Sequence, residues 1–134
     1  MYHKLHSVLI CVPLHCFTAL SNEHTCPCKT VEVYYDTGVK EHPILGNYTI
    51  YNDTFSSSGK VLYRQIKSDD YWIMWKGNSW NIFLNFTSQS IAKLDRKGPC
   101  PYDYPDWEWS LYNFTQKRFV REKGLRVKCS STSK

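Results

Sequence analysis

The stretch that most constrains the fold of this chain is residues 71–86, an aromatic run interrupted by one glycine–asparagine pair. Gly77-Asn78 predicts a two-residue type II′ turn, because glycine alone enters the positive-φ first position of such a turn without strain. A two-residue turn also fixes the register of the strands on either side of it. Trp75 should therefore face Trp80, and the pairing should continue outward from there.

Period-two alternation divides this hairpin into two faces. The first face is almost wholly apolar and is expected to pack in the core: Tyr71, Ile73, Trp75, Trp80, Ile82, Leu84 and Phe86. The second face includes polar residues and is expected to lie against solvent: Trp72, Met74, Lys76, Ser79, Asn81, Phe83 and Asn85. Exposed apolar residues on that second face form a candidate ligand-binding site, the outer patch of Trp72, Met74 and Phe83. The alternative is that a loop or a second sheet covers them.

The rest of the chain repeats the pattern of short alternating runs between turn-forming residues. No segment of helical length has apolar residues at three-and-four spacing. Besides the hairpin, strands are expected at 31–35, 47–51, 60–66, 107–112, 117–121 and 125–129, with 90–94 either a short strand or a helical turn. The polar stretch 52–59 is expected to be a loop. The predicted fold is all-β, a small disulfide-bridged antiparallel sandwich or barrel of about seven to nine short strands.

The beginning of the chain has the features of a secretory signal peptide. Lys4 supplies the basic start, and the mostly apolar run that follows is too short to span a bilayer. Ala19 and Ser21 satisfy the small-residue rule for cleavage. We therefore expect a signal peptide at 1–21, a single extracellular all-β domain at 22–134 and no membrane span. A buried amino-terminal helix is the alternative.

Four cysteines belong to the predicted mature chain, an even number that is typical of an oxidised secreted domain. A bridge between Cys26 and Cys28 would close a strained ring across Pro27 and is the least expected pairing. The two other connectivities both tie the amino-terminal segment to the carboxy-terminal third. The pairs Cys26–Cys100 and Cys28–Cys129 are preferred, and the swapped pairing stays open.

Four N-glycosylation sequons support the secretory interpretation. Their asparagines are Asn47, Asn52, Asn85 and Asn113. Asn85 also falls on the outer face of the central hairpin, where an attached glycan would have room.

The net charge is +5, and the basic residues cluster late in the chain. The cluster consists of Lys117, Arg118, Arg121, Lys123, Arg126 and Lys128. Such a cluster can bind acidic glycans or nucleic acid, whereas its simpler interpretation is the solvated face of two strands. Predicted secretion excludes intracellular nucleic acid as the partner.

Candidate catalytic groups are few. Only His24 and His42 remain after the predicted cleavage, and no nucleophile elbow, zinc-binding histidine pair or phosphate-cradling glycine loop occurs. Asp103, Asp106 and Glu108 are the best carboxylate group for calcium, but they lack the ordered spacing of an EF-hand. We therefore expect no enzymatic activity, no cofactor and no metal site.

Several short motifs follow one another in a fixed order along most of the chain. They are Gly46 and Tyr48, Gly59 to Arg64, Tyr71 to Trp75, Trp80 to Ile82, Cys100-Pro101, Trp107 and Trp109, and Leu125 to Cys129. This order resembles a small cysteine-bridged, aromatic-rich module of secreted and matrix proteins of marine invertebrates. The resemblance covers positions 46–129, although Ser58-Gly59-Lys60-Val61-Leu62 replaces a stretch that contains proline in the module. It implies an extracellular adhesive, matrix or recognition role and carries over no catalytic residue.

The sequence therefore predicts a secreted, N-glycosylated, disulfide-stabilised and non-enzymatic protein. Its expected role is that of an extracellular matrix or structural component that acts through protein or polysaccharide contacts. The alternative is a soluble lectin-like recognition factor in defence or venom. The oligomeric state is left open.

Overall fold

The structure, a computed structural model, describes residues 7–12, 15–20, 26–38, 40–55, 59–85, 87 and 89–132. At 7–12, 15–20, 52–55 and 131–132 the description covers the backbone alone. Throughout these ranges the chain is all-β, and it contains no helix that could cross a membrane.

Residues at the beginning of the chain form a separate antiparallel hairpin. Its strands are β1 (Ser7–Val12) and β2 (His15–Leu20), and they form a two-stranded sheet of their own. The predicted cleavage site after Ser21 and the predicted new start at Asn22 lie outside the described residues. The signal peptide therefore stays a prediction.

The remaining strands form one antiparallel nine-stranded sheet that curls into a half-barrel. They are β3 (Cys28–Tyr35), β4 (Gly46–Phe55), β5 (Val61–Gln65), β6 (Tyr71–Lys76), β7 (Ser79–Leu84), β8 (Ser90–Lys93), β9 (Ser110–Asn113), β10 (Arg118–Arg121) and β11 (Leu125–Thr132). Strands β3 to β10 follow one another as a meander, and β11 returns to pair with β3. The predicted all-β class is confirmed.

The central hairpin of β6 and β7 has the predicted register. Trp75 pairs with Trp80, and the pairing continues to Tyr71 and Leu84 at the far end. Gly77 has a φ of +68°, which the first position of the turn requires and which other residues rarely adopt. The Trp75 and Trp80 rings meet edge-on with their centroids 5.7 Å apart. The turn therefore fixes which residues face inward.

The core follows a row of side chains that crosses the sheet. Ala92, Ile82, Ile73 and Tyr63 are successive partners across β8, β7, β6 and β5, and all four are fully buried. Directly paired residues of antiparallel strands project from the same face, so one register places the whole row inward. Each of the two fully buried isoleucines stabilises the fold by about 1.5–3 kcal/mol.

Buried polar side chains fasten a loop to one end of this core. The Gln65 amide nitrogen donates hydrogen bonds to the carbonyl oxygens of Pro43, at 2.8 Å, and Leu45, at 3.1 Å. The Tyr48 hydroxyl donates to the carbonyl oxygen of Ile44 at 2.7 Å. These bonds satisfy polar groups that burial would otherwise leave unpaired, so they hold the loop before β4 in place.

Two disulfides join the amino-terminal segment to distant parts of the fold. Cys26 is bonded to Cys100, and Cys28 is bonded to Cys129, which links β3 to β11. The preferred pairing is therefore confirmed. The Tyr63 hydroxyl donates to the carbonyl oxygen of Cys28 at 2.7 Å, and the Cys28 amide donates to the Tyr102 hydroxyl at 3.1 Å. These two hydrogen bonds hold the backbone of Cys28 and therefore position the Cys28–Cys129 disulfide.

One strand is longer than the sequence pattern predicts. The stretch 52–59 is expected to be a loop, but β4 continues through Phe55, which pairs with Val61 beyond an irregularity after Ile50. The pattern fails here because the polar residues continue an extended backbone across that irregularity.

Another strand begins later than predicted. Residues 107–109 precede β9 and are not part of it, since the backbone of Trp109 bonds elsewhere. Its amide donates to the carbonyl oxygen of Leu125 at 2.8 Å, and its carbonyl accepts from the Glu122 amide at 2.9 Å. These bonds connect the segment before β9 to the far edge of the sheet, which helps to hold the curl. Trp109 itself is fully buried.

Candidate functional site

The outer patch lies on the face of β6 and β7 opposite the core, as predicted. Trp72 and Phe83 are direct cross-strand partners, and neither belongs to the core cluster. Their expected exposure is wrong, however, because Trp72 is 5% exposed and Phe83 is 1% exposed, while Met74 is half-buried. The patch is covered, as the alternative interpretation holds, and it offers no open aromatic surface.

Asn81 is one of the polar residues for which the sequence predicts that this face is exposed to solvent, but Asn81 is buried. Its side chain is only 5% exposed. The amide nitrogen of Asn81 donates to the carbonyl oxygen of Ser79 at 3.0 Å, and its amide oxygen accepts from the Ser90 hydroxyl at 2.7 Å. A polar side chain tolerates burial when its hydrogen bonds are made internally. A polar residue in an alternating strand pattern therefore does not show that its face of the sheet is exposed to solvent.

Cationic side chains lie over the aromatic rings of this outer face. The Arg64 guanidinium carbon is 5.1 Å from the ring centroids of both Tyr51 and Trp72. The ammonium nitrogen of Lys76 is 5.2 Å from the ring centroid of Phe83. Attraction between a cation and the negative face of a ring favours this stacking. The outer face is therefore a layer of rings beneath positive charges.

The carboxylates singled out for calcium act as hydrogen-bond acceptors for the backbone. Asp103 accepts from the Cys100 amide at 2.8 Å, and Glu108 accepts from the Gly124 amide at 2.8 Å. Asp106 is exposed. In the described part of the chain, no three histidine, cysteine or acidic side chains are grouped closely enough to hold a metal ion.

His42 has a structural environment. Its Nδ1 accepts a hydrogen bond from the Ile44 amide at 3.2 Å. Burial lowers the pKa of His42 below its ordinary value, against the opposing charge of Glu122. The neutral imidazole therefore serves as an acceptor that shapes the loop before β4. His24 lies outside the described residues.

Part of the late basic cluster is neutralised by carboxylates. The Arg126 Nε donates to Asp36 at 2.9 Å, and the ammonium nitrogen of Lys128 is 3.6 Å from Glu32. The positive charges of Arg126 and Lys128 are thus compensated locally, and these residues join β11 to neighbouring segments.

Arg121 has a different environment, because Arg121 and Arg96 both lie against the ring of Trp107. The guanidinium carbons of Arg96 and Arg121 lie 3.8 Å and 4.4 Å from the Trp107 ring centroid. Arg121 pairs with Ser110, and Ser110 pairs with Lys93, so all three project from the outer face. Lys93 adds a third positive charge to this end of the sheet.

Arg96 lies between two grooves. One has a volume of about 200 Å³ and is lined by Asn78, Ser79 and residues 93–97. The other has a volume of about 340 Å³ and is lined by Arg96, Trp107 and residues 103–106. Arg96 therefore contributes to the walls of both grooves.

The cations around these grooves form a basic surface, which consists of Lys76, Lys93, Arg96, Lys97 and Arg121. Among the described residues, none of the five has a carboxylate within 4.0 Å. Sequence reasoning missed Lys93, Arg96 and Lys97, because only the register of β8, β9 and β10 brings them to Arg121. Three basic residues between 93 and 97 were the available signal.

The predicted glycosylation sites differ in accessibility. Asn47 and Asn85 are exposed. Asn113 is half-buried, and its side-chain oxygen accepts from the Gln116 amide at 2.8 Å. The side chain of Asn52 lies outside the described residues. Glycan attachment at all four positions stays a prediction.

The chemistry of the basic surface is that of an anion-binding surface. Planar guanidinium groups present several N–H donors that match carboxylate and sulfate oxygens, and ammonium groups add charge without fixed geometry.

Comparison of the chain with protein-family models, with curated proteins and with solved structures gives no match.

Proposed function

We propose that this protein is a secreted, N-glycosylated and non-enzymatic component of an extracellular matrix or structure, and that it acts through protein or polysaccharide contacts. The observation that carries the proposal is the pair of disulfides, Cys26–Cys100 and Cys28–Cys129. Structural disulfides form and persist in oxidising compartments, chiefly outside the cell. The resemblance to the marine invertebrate module agrees with this role, and membership of that family is part of the proposal.

Two features of the surface support a binding role. Asn47 and Asn85 are exposed and can carry glycans that keep part of the surface hydrated. The basic surface leaves five cations without carboxylate partners among the described residues. Uncompensated positive charge on a secreted domain attracts acidic partners, and acidic extracellular polysaccharides are one such class.

The test is to express the full chain in secreting animal cells and to separate medium, salt wash and insoluble matrix. We expect glycosylated protein outside the cells, with a substantial share retained by the matrix and released by salt. Intracellular protein with free thiols would overturn secretion. Complete recovery in the medium without matrix retention would overturn the structural role.

A soluble lectin-like factor is the second candidate, and Tyr104 favours it. This ring is 39% exposed and lines the larger groove. An exposed aromatic ring can stack on the apolar face of a sugar. Binding to neutral glycans that is lost in Tyr104→Ala but kept in Tyr104→Phe would support this candidate over the matrix role.

A further inference from the structure

We infer that the basic surface of Lys76, Lys93, Arg96, Lys97 and Arg121 is the binding site for an anionic polysaccharide that carries sulfate or carboxylate groups. This inference rests on the proposed function and names the ligand class for it. It depends on three properties of the surface: the contact of two guanidinium groups with Trp107, the size of the smaller groove and the spacing of the charges.

The guanidinium groups are positioned before any ligand arrives. Stacking on Trp107, at 3.8 Å for Arg96 and 4.4 Å for Arg121, restricts both side chains. A guanidinium group has five N–H donors, so contact with one ring leaves donors available for an anion. Less side-chain entropy is then lost when an anion binds, which favours affinity.

The size of the smaller groove favours part of a polymer over a whole small molecule. The groove beside the hairpin turn measures about 200 Å³. That is below the range of about 300–1,000 Å³ typical of small-molecule pockets. It suits one charged substituent of a longer chain, with the polar residues Asn78 and Ser79 beside Lys93. Asp95 also lines this groove and keeps its negative charge, although its carboxylate accepts from the Ser110 hydroxyl at 3.0 Å; the cations Lys93, Arg96 and Lys97 of the same groove outnumber it.

The second groove suits the sugar ring itself. Its wall contains Tyr104 and Trp107, but also Asp103 and Asp106, which repel anions. We therefore place the sulfate or carboxylate groups at the smaller groove and at Arg121. The less charged part of the chain would lie against Tyr104.

The charges are spread along a line. Arg121 and Lys93 lie two strands apart on one face, a separation of about 10 Å at the backbone. Lys76 pairs with Ser79, which lines the smaller groove, and extends the line towards the hairpin turn. A single compact anion cannot reach all of these cations, whereas a polysaccharide with repeated charges can.

The test compares two double variants of the glycosylated full chain. Lys93→Gln/Lys97→Gln removes two charges from the basic surface. Lys29→Gln/Lys67→Gln removes two exposed charges elsewhere and is the matched control. Affinity is measured by calorimetry for heparin, hyaluronan and single-stranded DNA at fixed salt. Thermal melting verifies that both variants are folded.

We expect the first variant to lose about tenfold in affinity for the polysaccharide that binds, and the control to lose less than about twofold. Binding of heparin alone identifies sulfate as the recognised group, and binding of hyaluronan also identifies carboxylate. The inference is overturned if neither polysaccharide binds, if both variants lose affinity equally, or if DNA binds as tightly as heparin.

These outcomes separate the inference from the proposed function. Protein that is secreted and retained by matrix, yet binds neither polysaccharide, overturns the inference and leaves the proposed function standing. Protein that stays inside the cell overturns the proposed function, whatever it binds in solution.

Discussion

The guanidinium carbon of Arg96 lies 3.8 Å from the ring centroid of Trp107, and the same ring holds Arg121 at 4.4 Å. One indole therefore keeps two positive charges close together. Neither cation has a carboxylate within 4.0 Å among the described residues. Their mutual repulsion disfavours this arrangement, and a bound anion would relieve it.

Replacing this ring tests its part in holding the two arginines. Trp107→Ala should lower the free energy of unfolding by about 1–3 kcal/mol, because it removes two cation–π contacts and half-buried apolar area. Trp107→Phe keeps a ring and should retain much of that stability. Urea unfolding followed by circular dichroism measures both. An alanine variant as stable as the parent would show that the ring does not position the arginines.

The two disulfides should contribute nearly equally to stability. They separate their cysteines by 74 and 101 residues, and the entropy of loop closure changes only slowly over this range. Removal of either bridge by paired Cys→Ala changes should cost about 2–5 kcal/mol. Urea midpoints of Cys26→Ala/Cys100→Ala and Cys28→Ala/Cys129→Ala provide the comparison. A bridge that can be removed without loss would contradict its structural role.

The pair of Tyr35 and Glu122 predicts a pH dependence of stability. Burial acts to raise the pKa of Glu122, but hydrogen bonds from Tyr35, at 2.6 Å, and Lys40, at 3.1 Å, hold that pKa below its ordinary value. A lowered carboxylate pKa stabilises the fold above the pKa of the unfolded chain, and this contribution is lost as the pH falls through the folded pKa.

Glu122→Gln should therefore be less stable than the parent at pH 7, and the difference should shrink as the pH falls below about 4.3. Urea unfolding at several pH values measures this difference. Glu41→Gln is the matched control, because Glu41 is exposed and should show little difference at any pH. A gap that stayed constant down to pH 3 would contradict the assignment.

Gln65 provides a test of the loop before β4. Gln65→Ala removes the two hydrogen bonds that the amide nitrogen donates to the carbonyls of Pro43 and Leu45, and also the one that the amide oxygen accepts from the Ser68 hydroxyl. We therefore expect a loss of about 2–4 kcal/mol. Gln116→Ala, at an exposed turn, is the control and should change stability by less than about 0.5 kcal/mol. Equal effects in the two variants would rule out a fastening role for Gln65.

The central hairpin was the most predictable part of the fold. Gly77 and Asn78 fix the turn, and the turn fixes every cross-strand pair from Trp75 outward. The burial of Asn81 on its outer face was not predictable, because the amide oxygen of Asn81 accepts a hydrogen bond from Ser90, which lies beyond the hairpin. A local pattern records which residues share a face and does not record what covers that face.

The disulfide pairing and the basic surface depend on long-range register. Cys26 and Cys28 are so close in sequence that only the pairing of β3 with β11 distinguishes their partners. Arg121 and Lys93 come together because β9 lies between their strands. Neither relationship follows from spacing along the chain. The sequence therefore did not decide between the two disulfide pairings, and it did not predict the basic surface.

We propose that this is an extracellular protein stabilised by the disulfides Cys26–Cys100 and Cys28–Cys129. Mass spectrometry of intact protein, and of its non-reduced peptides, recovered from the medium and matrix of secreting cells tests that claim most directly. We expect a chain beginning at Asn22, glycans on its sequons, and the same two bridges. An intact Met1 together with free thiols at these four cysteines would contradict it.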